Sequence, residues 1–311
     1  MRILVTGGAG FIGSHLVERL LAQNHRVSVV DNLSTGRMEN LPEGVNFYEL
    51  DICSPKLQEV FERERPEVVS HHAAQVNLRA SVEDPLGDAR SNILGTVNLL
   101  QCALRWKVRH FIFSSSGGAI YGEPQKLPVD EEHPIHPVSP YGLSKYAAEA
   151  YLELYARLAG LPHTILRYPN VYGPRQDPKG EAGVVAVFSE QMIRGERPTI
   201  FGDGTKTRDY LHVDDVMEAN LLLLERDGTA GVYNLGWGKE VSDREVYEAV
   251  CLPLGFELEP IYSEKRPGEI DRICLDSTKF TELTGWRPRV ELKSGVERTV
   301  GYYRKKLLEG A

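Results

Sequence analysis

Short apolar runs alternate with longer amphipathic stretches from the start of the chain to about residue 168. Ile3-Leu4-Val5 predicts a buried first strand, and the amphipathic stretch from His15 to Gln23 predicts the helix that follows it. Apolar runs at 26–30, 68–72, 111–113 and 165–167 predict further strands, and another short strand is expected to end at Asp51-Ile52. Strands that alternate with helices favour an α/β fold with a parallel, doubly wound sheet.

Three glycines separate the first predicted strand from the first predicted helix. Gly7, Gly10 and Gly13 have the spacing G-x-x-G-x-x-G, with Phe11 and Ile12 between the last two. Glycine supplies the backbone angles of the turn, and bare backbone lets a pyrophosphate approach the helix N-terminus. The third glycine lets the helix pack closely on the strand. In this strand–turn–helix context, the motif predicts a Rossmann-type dinucleotide-binding fold.

Residues at the ends of the next strands indicate which dinucleotide is bound. Asp31 ends the second strand, where a carboxylate accepts hydrogen bonds from ribose hydroxyls and repels a 2′-phosphate, so NAD is favoured over NADP. Arg37 is near enough to accommodate such a phosphate, and we interpret it as a loop residue or a residue at the edge of the nucleotide site. Asp51 fits either an adenine contact or the N-cap of the following helix. Ala73-Ala74 is small enough for a cofactor to lie against the backbone.

Tyr141 and Lys145 lie four residues apart in a helical stretch, so their side chains share one face. A free phenol has a pKa of about 10 and is a poor base at neutral pH. A nearby ammonium favours the phenolate, and a nicotinamide cation would favour it further. Such a tyrosine can take a proton from a sugar hydroxyl while hydride leaves the same carbon. The pair is common alone, but together with the glycine turn it predicts a catalytic site.

Composition excludes several classes of function. The chain has 311 residues and a formal net charge of −8, with no basic run, so we expect no nucleic-acid partner. No apolar segment is long enough to span a bilayer, and the early first strand leaves no room for a signal peptide, which predicts a cytoplasmic location. The four cysteines lack C-x-x-C spacing and are expected to be reduced core residues. His71-His72 and His133/His136 lack accompanying acidic or cysteine ligands, so no metal is expected.

The texture of the sequence changes after residue 168, where proline, glycine and charged residues become frequent. We predict an NAD-binding domain over 1–168, to which 210–236 returns, and a smaller α/β substrate-binding lobe from 169–209 and 237–311. Ligands of open α/β sheets bind beyond the carboxyl ends of the strands, which places the glycine turn, Asp31 and the serine run 114–116 at one site. Asp215 is expected to cap a helix that starts near Val216.

Motifs spread over essentially the whole chain are specific in combination: TGGAGFIGS (6–14), DNLSTG (31–36), HHAAQ (71–75), SSSGGAIYG (114–122), SPYGLSK (139–145), LRYPNVYGPRQ (166–176), TRDYLHVDD (207–215) and RPGEID (266–271). The chain resembles the extended short-chain dehydrogenase/reductase family that acts on nucleotide sugars, most closely its UDP-glucose (UDP-galactose) 4-epimerases. The resemblance implies bound NAD, a UDP-sugar substrate and epimerisation at C4 of the hexose through a 4-keto intermediate.

The resemblance also assigns roles within the site. It implies that Tyr141 is the catalytic base, that Lys145 holds the ribose and lowers the pKa of the phenol, and that Ser116 hydrogen-bonds the reacting sugar oxygen. One extra residue before Tyr121 relative to the commoner pattern leaves Ser115 open for that last role. Ser114 also fits a polar strand end that satisfies backbone groups.

The remaining implied contacts fall into two sets. The implied NAD contacts are Gly7, Gly10, Phe11, Ile12, Gly13, Asp31, Asn32, Asp51, Ile52, Ala73, Ala74, Gln75, Asn92, Ser114, Tyr141, Lys145 and Tyr168. The implied UDP-sugar contacts are Ser116, Tyr141, Asn170, Val184, Thr199, Phe201, Arg208, Tyr210, Arg266 and Glu269. Two arginines from separate segments suit a diphosphate, while Glu269 fits either a sugar or ribose hydroxyl or a solvated surface carboxylate.

Several alternatives share the same first oxidation. The resemblance extends to 4,6-dehydratases, but these need an Asp-Glu pair after the hydroxyl residue, and here Ser116 is followed by Gly-Gly-Ala. UDP-glucuronate 4-epimerase and decarboxylase stay open because Arg208 or Arg266 can bind the carboxylate of a uronic acid. UDP-N-acetylglucosamine stays open as a substrate because the resemblance puts Ile273, which is smaller than tyrosine, where a residue limits the space beside the sugar's C2 group. A non-catalytic NAD or nucleotide-sugar sensor would be expected to lose Tyr141 or Lys145.

The resemblance also implies a homodimer. The family's dimer is formed by a bundle of helices, one of which carries the catalytic tyrosine. Leu94, Leu99 and Leu100, on the helix after Asn92, are the apolar positions that fit this bundle together with the Tyr141 helix.

Overall fold

The computed structural model describes residues 1–179, 183–226, 228–266 and 269–309. Residues 180–182, in the loop after residue 172, and 267–268, in the RPGEID motif, lie outside these ranges. The strands, numbered along the chain, are β1 (Arg2–Thr6), β2 (Arg26–Asp31), β3 (Asn46–Glu49), β4 (Val68–His71), β5 (His110–Ser116), β6 (His163–Tyr168), β7 (Asn170–Tyr172), β8 (Thr199–Phe201), β9 (Thr207–Arg208), β10 (Tyr210–His212), β11 (Gly231–Asn234), β12 (Val241–Ser242) and β13 (Ile261–Ser263).

Helices connect the strands and cover both faces of the main sheet. They are α1 (Phe11–Ala22), α2 (Leu57–Glu64), α3 (Leu78–Glu83), α4 (Pro85–Ala89), α5 (Gly95–Arg105), α6 (Gly117–Ile120), α7 (Pro140–Ala159), α8 (Val184–Ile193), α9 (Val213–Leu224), α10 (Asp243–Leu254), α11 (Thr278–Thr284) and α12 (Leu292–Glu309). A 3₁₀ turn spans Met38–Asn40, and a π-helical turn at Arg90–Leu94 leads into α5.

The main sheet of the described residues has seven parallel strands in the order β11-β6-β5-β4-β1-β2-β3. The order reverses at β1, whose last residue, Thr6, pairs with Val30 of β2 on one side and His71 of β4 on the other. A ligand crevice is expected beyond the carboxyl ends of the strands at such a reversal. The predicted Rossmann-type α/β fold is confirmed.

The third strand ends earlier than predicted. β3 ends at Glu49 rather than at Asp51-Ile52. The physical reason is a turn: the carboxylate of Asp51 accepts a hydrogen bond from the Cys53 backbone at 2.7 Å, and the Ser54 backbone donates to the Asp51 carbonyl at 2.9 Å. These local bonds compete with continued strand pairing.

Alternation along the strands builds a hydrophobic core on each face of the sheet. Ile3 and Val5 of β1 join the cluster that includes residues of α1 and α9, whereas Leu4 joins the cluster that includes residues of α2, α5 and α7. The two clusters sandwich the sheet, so the carboxyl ends of its strands are held rigidly as a platform for the site.

The structure corrects part of the prediction about the dimer face. Leu99 and Leu100 are fully buried in the second of these clusters, because α5 turns them towards the sheet. Leu94 lies in the π-helical turn before α5 and is 61% exposed. Of the three leucines, Leu94 alone reaches the surface.

A third hydrophobic cluster is built by helices that lie outside the main sheet, and we call the elements that form it the smaller lobe. α8, α10 and α12 pack together through residues such as Val185, Phe188, Val246 and Val296. Short strand pairs flank them: β8 with β13, β9 with β12, and β7 with β10. By contrast, α9 packs on α1, and β11 extends the main sheet beside β6.

The predicted N-cap role of Asp215 is wrong. α9 begins at Val213, and its N-cap is His212, whose ring accepts a hydrogen bond from the Asp214 backbone at 3.2 Å. The Asp215 carboxylate is buried one residue further into the helix and accepts bonds from the Arg289 and Val290 backbones at 3.0 and 3.1 Å. It therefore fastens the segment before α12 to α9.

Candidate active site

The glycine turn lies between the carboxyl end of β1 and the N-terminus of α1. Gly7 has a φ of +68°, and a Cβ there would lie 2.6 Å from the Ala73 nitrogen, while a Cβ on Gly13 would lie 2.2 Å from the Gly7 carbonyl oxygen. No side chain caps α1 at Gly10, and its first turn holds no acidic residue. The N–H groups and the positive end of the helix dipole therefore fit the diphosphate of a dinucleotide.

Asp31 is held at the ribose end of this turn. Its buried carboxylate accepts hydrogen bonds from the Ala9 backbone at 3.0 Å and the Leu33 backbone at 2.8 Å, one on each oxygen. Each oxygen keeps a lone pair for a ribose hydroxyl, so the residue suits the adenosine ribose of NAD. Arg37 is exposed on the loop that follows.

The residues predicted near the adenine lie beside Asp31. The Asn32 side chain donates to the Asp51 carboxylate at 3.2 Å, and Ile52 is buried. The alternative N-cap role of Asp51 is wrong, because α2 begins at Leu57 with Lys56 at its N-cap. Contact of Asn32, Asp51 and Ile52 with adenine stays a prediction.

The loop after β4 is tied to α7, the helix that carries Tyr141 and Lys145. The Gln75 backbone donates to the Asn92 side chain at 2.9 Å, and the Asn92 amide donates back to the Gln75 carbonyl at 3.0 Å. The same amide donates to the hydroxyl of Ser144 in α7 at 3.0 Å. Asn92 therefore fixes the backbone of 73–75 relative to α7.

Tyr141 and Lys145 lie on the first turns of α7. Ser139 caps the helix by accepting a bond from the Gly142 backbone at 3.1 Å, and Pro140 occupies the first helical position. These signals set the start of α7 and hence the height of Tyr141 above the sheet. The Lys145 ammonium lies 4.6 Å from the centre of the Phe113 ring in β5.

Burial dominates the electrostatics of this pair. It raises the pKa of Tyr141 to about 12; a hydrogen bond with Ser116 acts in the opposite direction, and the Asp88 carboxylate adds to the rise. Burial also lowers the pKa of Lys145 to about 8, opposed by the Glu149 and Asp88 carboxylates. The polypeptide's own groups thus leave the phenol protonated at neutral pH, and added positive charge beside it would lower its pKa.

The three serines at the end of β5 have different partners. Ser116 lies beside the Tyr141 hydroxyl and opposes the rise of its pKa. Ser115 is buried and donates to the Glu149 carboxylate at 2.5 Å. Ser114 shares a bond of 2.7 Å with the His72 ring, so a side chain holds its hydroxyl rather than the backbone groups expected at a polar strand end. Of the two serines that the sequence left open, Ser116 is the one that meets the phenol.

Tyr168 and Asn170 border the site at the end of β6. The buried Tyr168 hydroxyl accepts bonds from Asn220 at 2.9 Å and Ser114 at 3.4 Å, and burial raises its pKa to about 12. Asn170 is half-buried, and a Cβ on Gly118 would lie 3.5 Å from its side-chain oxygen. Asn170 therefore reaches towards the turn that follows Ser116.

The smaller lobe supplies a cluster of cations. The Arg266 guanidinium stacks 3.4 Å from the centre of the Phe201 ring and lies 3.8 Å from the Glu269 carboxylate. The Arg208 guanidinium donates to the Thr207 and Ile270 carbonyls at 2.7 and 2.9 Å. Positively charged groups held by backbone and ring contacts suit a diphosphate.

The other residues predicted for the substrate surround this cluster. Thr199 lies with Phe201 on β8, and Val184 begins α8; all three are half-buried. Tyr210 is buried in the third hydrophobic cluster, with its ring 6.3 Å from that of Tyr172, although it begins the segment predicted to return to the NAD-binding domain. Contacts of these residues with a uridine diphosphate stay predictions.

Several residues near the site were not singled out from the sequence. Lys206 bonds the Glu269 carboxylate and lies 3.7 Å from that of Asp243, so Glu269 is not simply a solvated carboxylate. The position of Lys206 two residues before Arg208 was the sequence signal that could have pointed to it. Glu149 and Arg167 are a buried acid and a buried base 18 residues apart, so no local pattern reveals them. Asp88 is also buried and accepts a hydrogen bond from Asn92, four residues later.

Two further properties concern only the described part of the chain. Within it, no group of three or more His, Cys, Asp or Glu residues is arranged to hold a metal ion. No helix there has the length and apolar character needed to cross a membrane.

A Rossmann-type fold with Tyr141, Lys145 and Ser116 near its glycine turn is typical of an NAD-dependent enzyme. The chain belongs to the NAD dependent epimerase/dehydratase family, whose model matches residues 3–236. The resemblance predicted from the motifs is confirmed.

Three relatives are similar over almost their whole length. The structure of UDP-glucose 4-epimerase from Thermotoga maritima with UDP-glucose is 49% identical, with a TM-score of 0.96 over 99% of this chain and 100% of that one. The Thermus thermophilus UDP-glucose 4-epimerase in complex with NAD is 45% identical, with a TM-score of 0.93 over 98% and 99%. The UDP-glucose 4-epimerase of Mycolicibacterium smegmatis is 45% identical over 98% of this chain and 99% of its own.

Proposed function

We propose that this enzyme interconverts UDP-glucose and UDP-galactose by NAD-dependent epimerisation at C4. The observation that carries the proposal is that Tyr141 and the buried Lys145 lie one turn apart at the start of α7, with Ser116 beside the phenol at the end of β5. The identity to epimerases whose structures hold UDP-glucose or NAD supports both ligands.

Each residue of the trio has a distinct task. The Tyr141 oxygen takes the proton of the sugar 4-hydroxyl and later returns it, while Ser116 hydrogen-bonds the same sugar oxygen. Lys145 supplies positive charge that favours the phenolate against the effect of burial. Bound NAD would accept the C4 hydride and return it, so the reaction needs no net oxidant.

Inversion at C4 requires the sugar to turn while its nucleotide stays anchored. We infer that Arg208 and Arg266 hold the diphosphate and that Phe201 and Thr199 flank the uracil. The three residues after Ser116, Gly117-Gly118-Ala119, carry no bulky side chain. We infer a site that is tight around the diphosphate and loose around the hexose.

The same residues weigh against the rival reactions. A 4,6-dehydratase needs carboxylates beside C5 and C6, and the segment after Ser116 carries none before Glu123. UDP-N-acetylglucosamine and UDP-glucuronate are alternative substrates of the same C4 chemistry. UDP-glucuronate decarboxylation starts with the same oxidation and differs in its pentose product.

The test is incubation of the purified protein with a panel of UDP-sugars without added cofactor, with products resolved by chromatography. We expect UDP-glucose and UDP-galactose to reach the same mixture from either side. A 5,6-dehydrated keto sugar or a pentose as the main product would replace the proposal by dehydration or decarboxylation. Binding without turnover of any member would favour the sensor.

We further infer a homodimer formed through α3, α4 and α7. Apolar side chains are exposed along these elements and the adjoining π-helical turn: Val82, Leu86, Leu94, Leu143 and Leu158 are 63%, 83%, 61%, 58% and 77% exposed. Leu143→Glu should yield a monomer by light scattering, whereas Leu252→Glu, at an exposed leucine of α10, should leave the dimer intact. A Leu143→Glu variant of unchanged mass would place the interface elsewhere.

The state of the cysteines supports a cytoplasmic location. All four are free, and Cys102 and Cys274 are buried. Unpaired cysteines suit a reducing compartment.

A further inference from the structure

A buried ion pair lies directly behind the catalytic residues. The Glu149 and Arg167 side chains are 3% and 5% exposed. Arg167 Nη2 donates to Glu149 Oε2 at 2.7 Å and Nε to Oε1 at 3.1 Å, which makes the pair bidentate. The pair joins α7 to β6 through the interior of the protein.

Further hydrogen bonds extend the pair to neighbouring elements. Ser115 of β5 donates to Glu149 at 2.5 Å, and Arg167 donates to the Tyr121 hydroxyl at 2.7 Å. Tyr121 in turn donates to the Asn234 side chain in β11 at 2.8 Å. One network therefore connects α7 with three strands of the main sheet.

A requirement for stability does not explain this pair. Two buried charges lose much of their attraction to desolvation, and apolar residues of similar volume often stabilise a core equally well. Its position is more informative. Glu149 is one turn beyond Lys145 and two beyond Tyr141 on α7, Ser115 precedes Ser116, and Arg167 precedes Tyr168.

The charges around Lys145 give the network a second consequence. Burial lowers the pKa of Lys145, and the largest opposing effect comes from Glu149, followed by Asp88 of α4. His71 and His72, which face Lys145 from the end of β4, have pKa values lowered by burial and are neutral. Two carboxylates thus face an otherwise desolvated ammonium.

We propose that Glu149, oriented by Arg167 and Ser115, is a positioning residue that fixes the Tyr141–Lys145 face of α7 against β5 and β6 and holds Lys145 as the ammonium. The proposal deepens the epimerase function and rests on it for the kinetic effects alone. The ionisation of Lys145 is a property of the polypeptide and is measured without turnover.

The direct experiment follows the protonation of Lys145. Protein labelled with carbon-13 at lysine Cε is titrated by NMR, with the Lys145 signal assigned by its loss in Lys145→Arg. The variants are Glu149→Gln with Arg167→Met, which removes both charges together, and the control Glu153→Gln, one turn further along α7. In the double variant we expect Lys145 to titrate at least about one pH unit lower, and kcat at neutral pH to fall about tenfold with little change in KM.

Ser115→Ala tests positioning without a change of charge or risk to the fold. We expect kcat to fall several-fold at constant KM, with the Lys145 titration unchanged. Wild-type kcat in Ser115→Ala, together with an unshifted Lys145 titration in the double variant, would show the network to be structural only. If the double variant does not fold, Glu149→Asp replaces it, and unaltered kcat there and in Ser115→Ala overturns the proposal. Absence of epimerisation in the wild type, with the Lys145 shift present, would instead overturn the function alone.

Discussion

Tyr141 is the residue that we propose as the catalytic base, and its surroundings oppose the ionisation of its phenol. Burial raises its pKa to about 12, and Ser116 acts against that rise. Because desolvation penalises the phenolate, the tyrosine ionises only when positive charge is close, which links proton removal to an assembled site. A tyrosine left exposed would lack this control.

Tyr141→Phe should therefore remove proton transfer while it keeps the ring packing. We expect kcat to fall by roughly 10²–10⁴-fold, with NAD retained at the wild-type level in the purified protein. Tyr146→Phe, at a more exposed tyrosine of the same helix, should turn over normally. Retained turnover in Tyr141→Phe would remove the tyrosine from the mechanism, and an unaltered ligand response without turnover would indicate a sensor.

Ile273 is the residue that we expect to limit the size of the sugar. It is 2% exposed and packs in a cluster with Ile120 and Tyr121, just beyond Ser116. A larger side chain there should exclude an N-acetyl group more strongly than a hydroxyl. Ile273→Tyr should lower kcat/KM for UDP-N-acetylglucosamine about tenfold or more relative to UDP-glucose.

The control for this substitution is Ile273→Leu, which conserves volume and should change the ratio little. The measurement is kcat/KM for both substrates with each variant. Equal losses for the two substrates in Ile273→Tyr would mean that the position affects packing but not specificity.

At the scale of elements, the glycine turn joins β1 to α1 with no space for side chains. A Cβ on Gly13 would lie 2.2 Å from the Gly7 carbonyl oxygen, and this backbone oxygen cannot rotate away as a side chain could. Gly13→Ala should lose bound NAD and about 2 kcal/mol of unfolding free energy. The measurements are the cofactor content after purification and chemical unfolding.

A matched substitution separates the turn from a general effect of alanine. Gly301 lies in α12, where an added Cβ meets open space. Gly301→Ala should be neutral or stabilise the protein by up to about 1 kcal/mol, because alanine is the better helix former. A Gly13→Ala variant that behaves like Gly301→Ala would show that the turn tolerates a side chain and that the cofactor does not depend on its close approach.

Elements with local signals were predicted well from the sequence. The strand–glycine–helix unit and the Tyr141–Lys145 spacing are set within a few residues, so periodicity and motif suffice. The choice between Ser115 and Ser116 needed the geometry of the strand end, and the Glu149–Arg167 pair is formed by groups 18 residues apart on different elements.

Leu99 and Leu100 were misassigned because an apolar residue on a helix fits a subunit interface and a sheet core equally well. Asp51 and Asp215 looked like helix caps because an acid near a helix start is a local cue, whereas their actual partners were fixed by the turn and by tertiary packing.

For the whole molecule, a histidine ring that is shielded from water connects stability to pH. His72 bonds Ser70 at 2.9 Å and Ser114 at 2.7 Å, and burial is the main cause that lowers its pKa to about 3. The unfolded chain holds a proton on this ring below pH 6.5 or so, while the folded protein does not until about pH 3. Folding stability is thus lost as the pH falls through this window, by about 1.4 kcal/mol per pH unit for one such group.

Other groups titrate in the same range, and some act in the opposite direction. Burial raises the pKa of Asp209 to about 6, so its protonation stabilises the folded state as the pH falls. The observable that isolates His72 is therefore the difference between wild type and His72→Gln, whose amide stays neutral at every pH. From pH 7.5 to 5.5, wild type should lose about 1.4 kcal/mol more unfolding free energy than the variant in chemical unfolding. An equal loss of unfolding free energy in wild type and His72→Gln would mean that the His72 ring is protonated in the folded protein. The hydrogen bonds with Ser70 and Ser114 would then not keep the ring neutral.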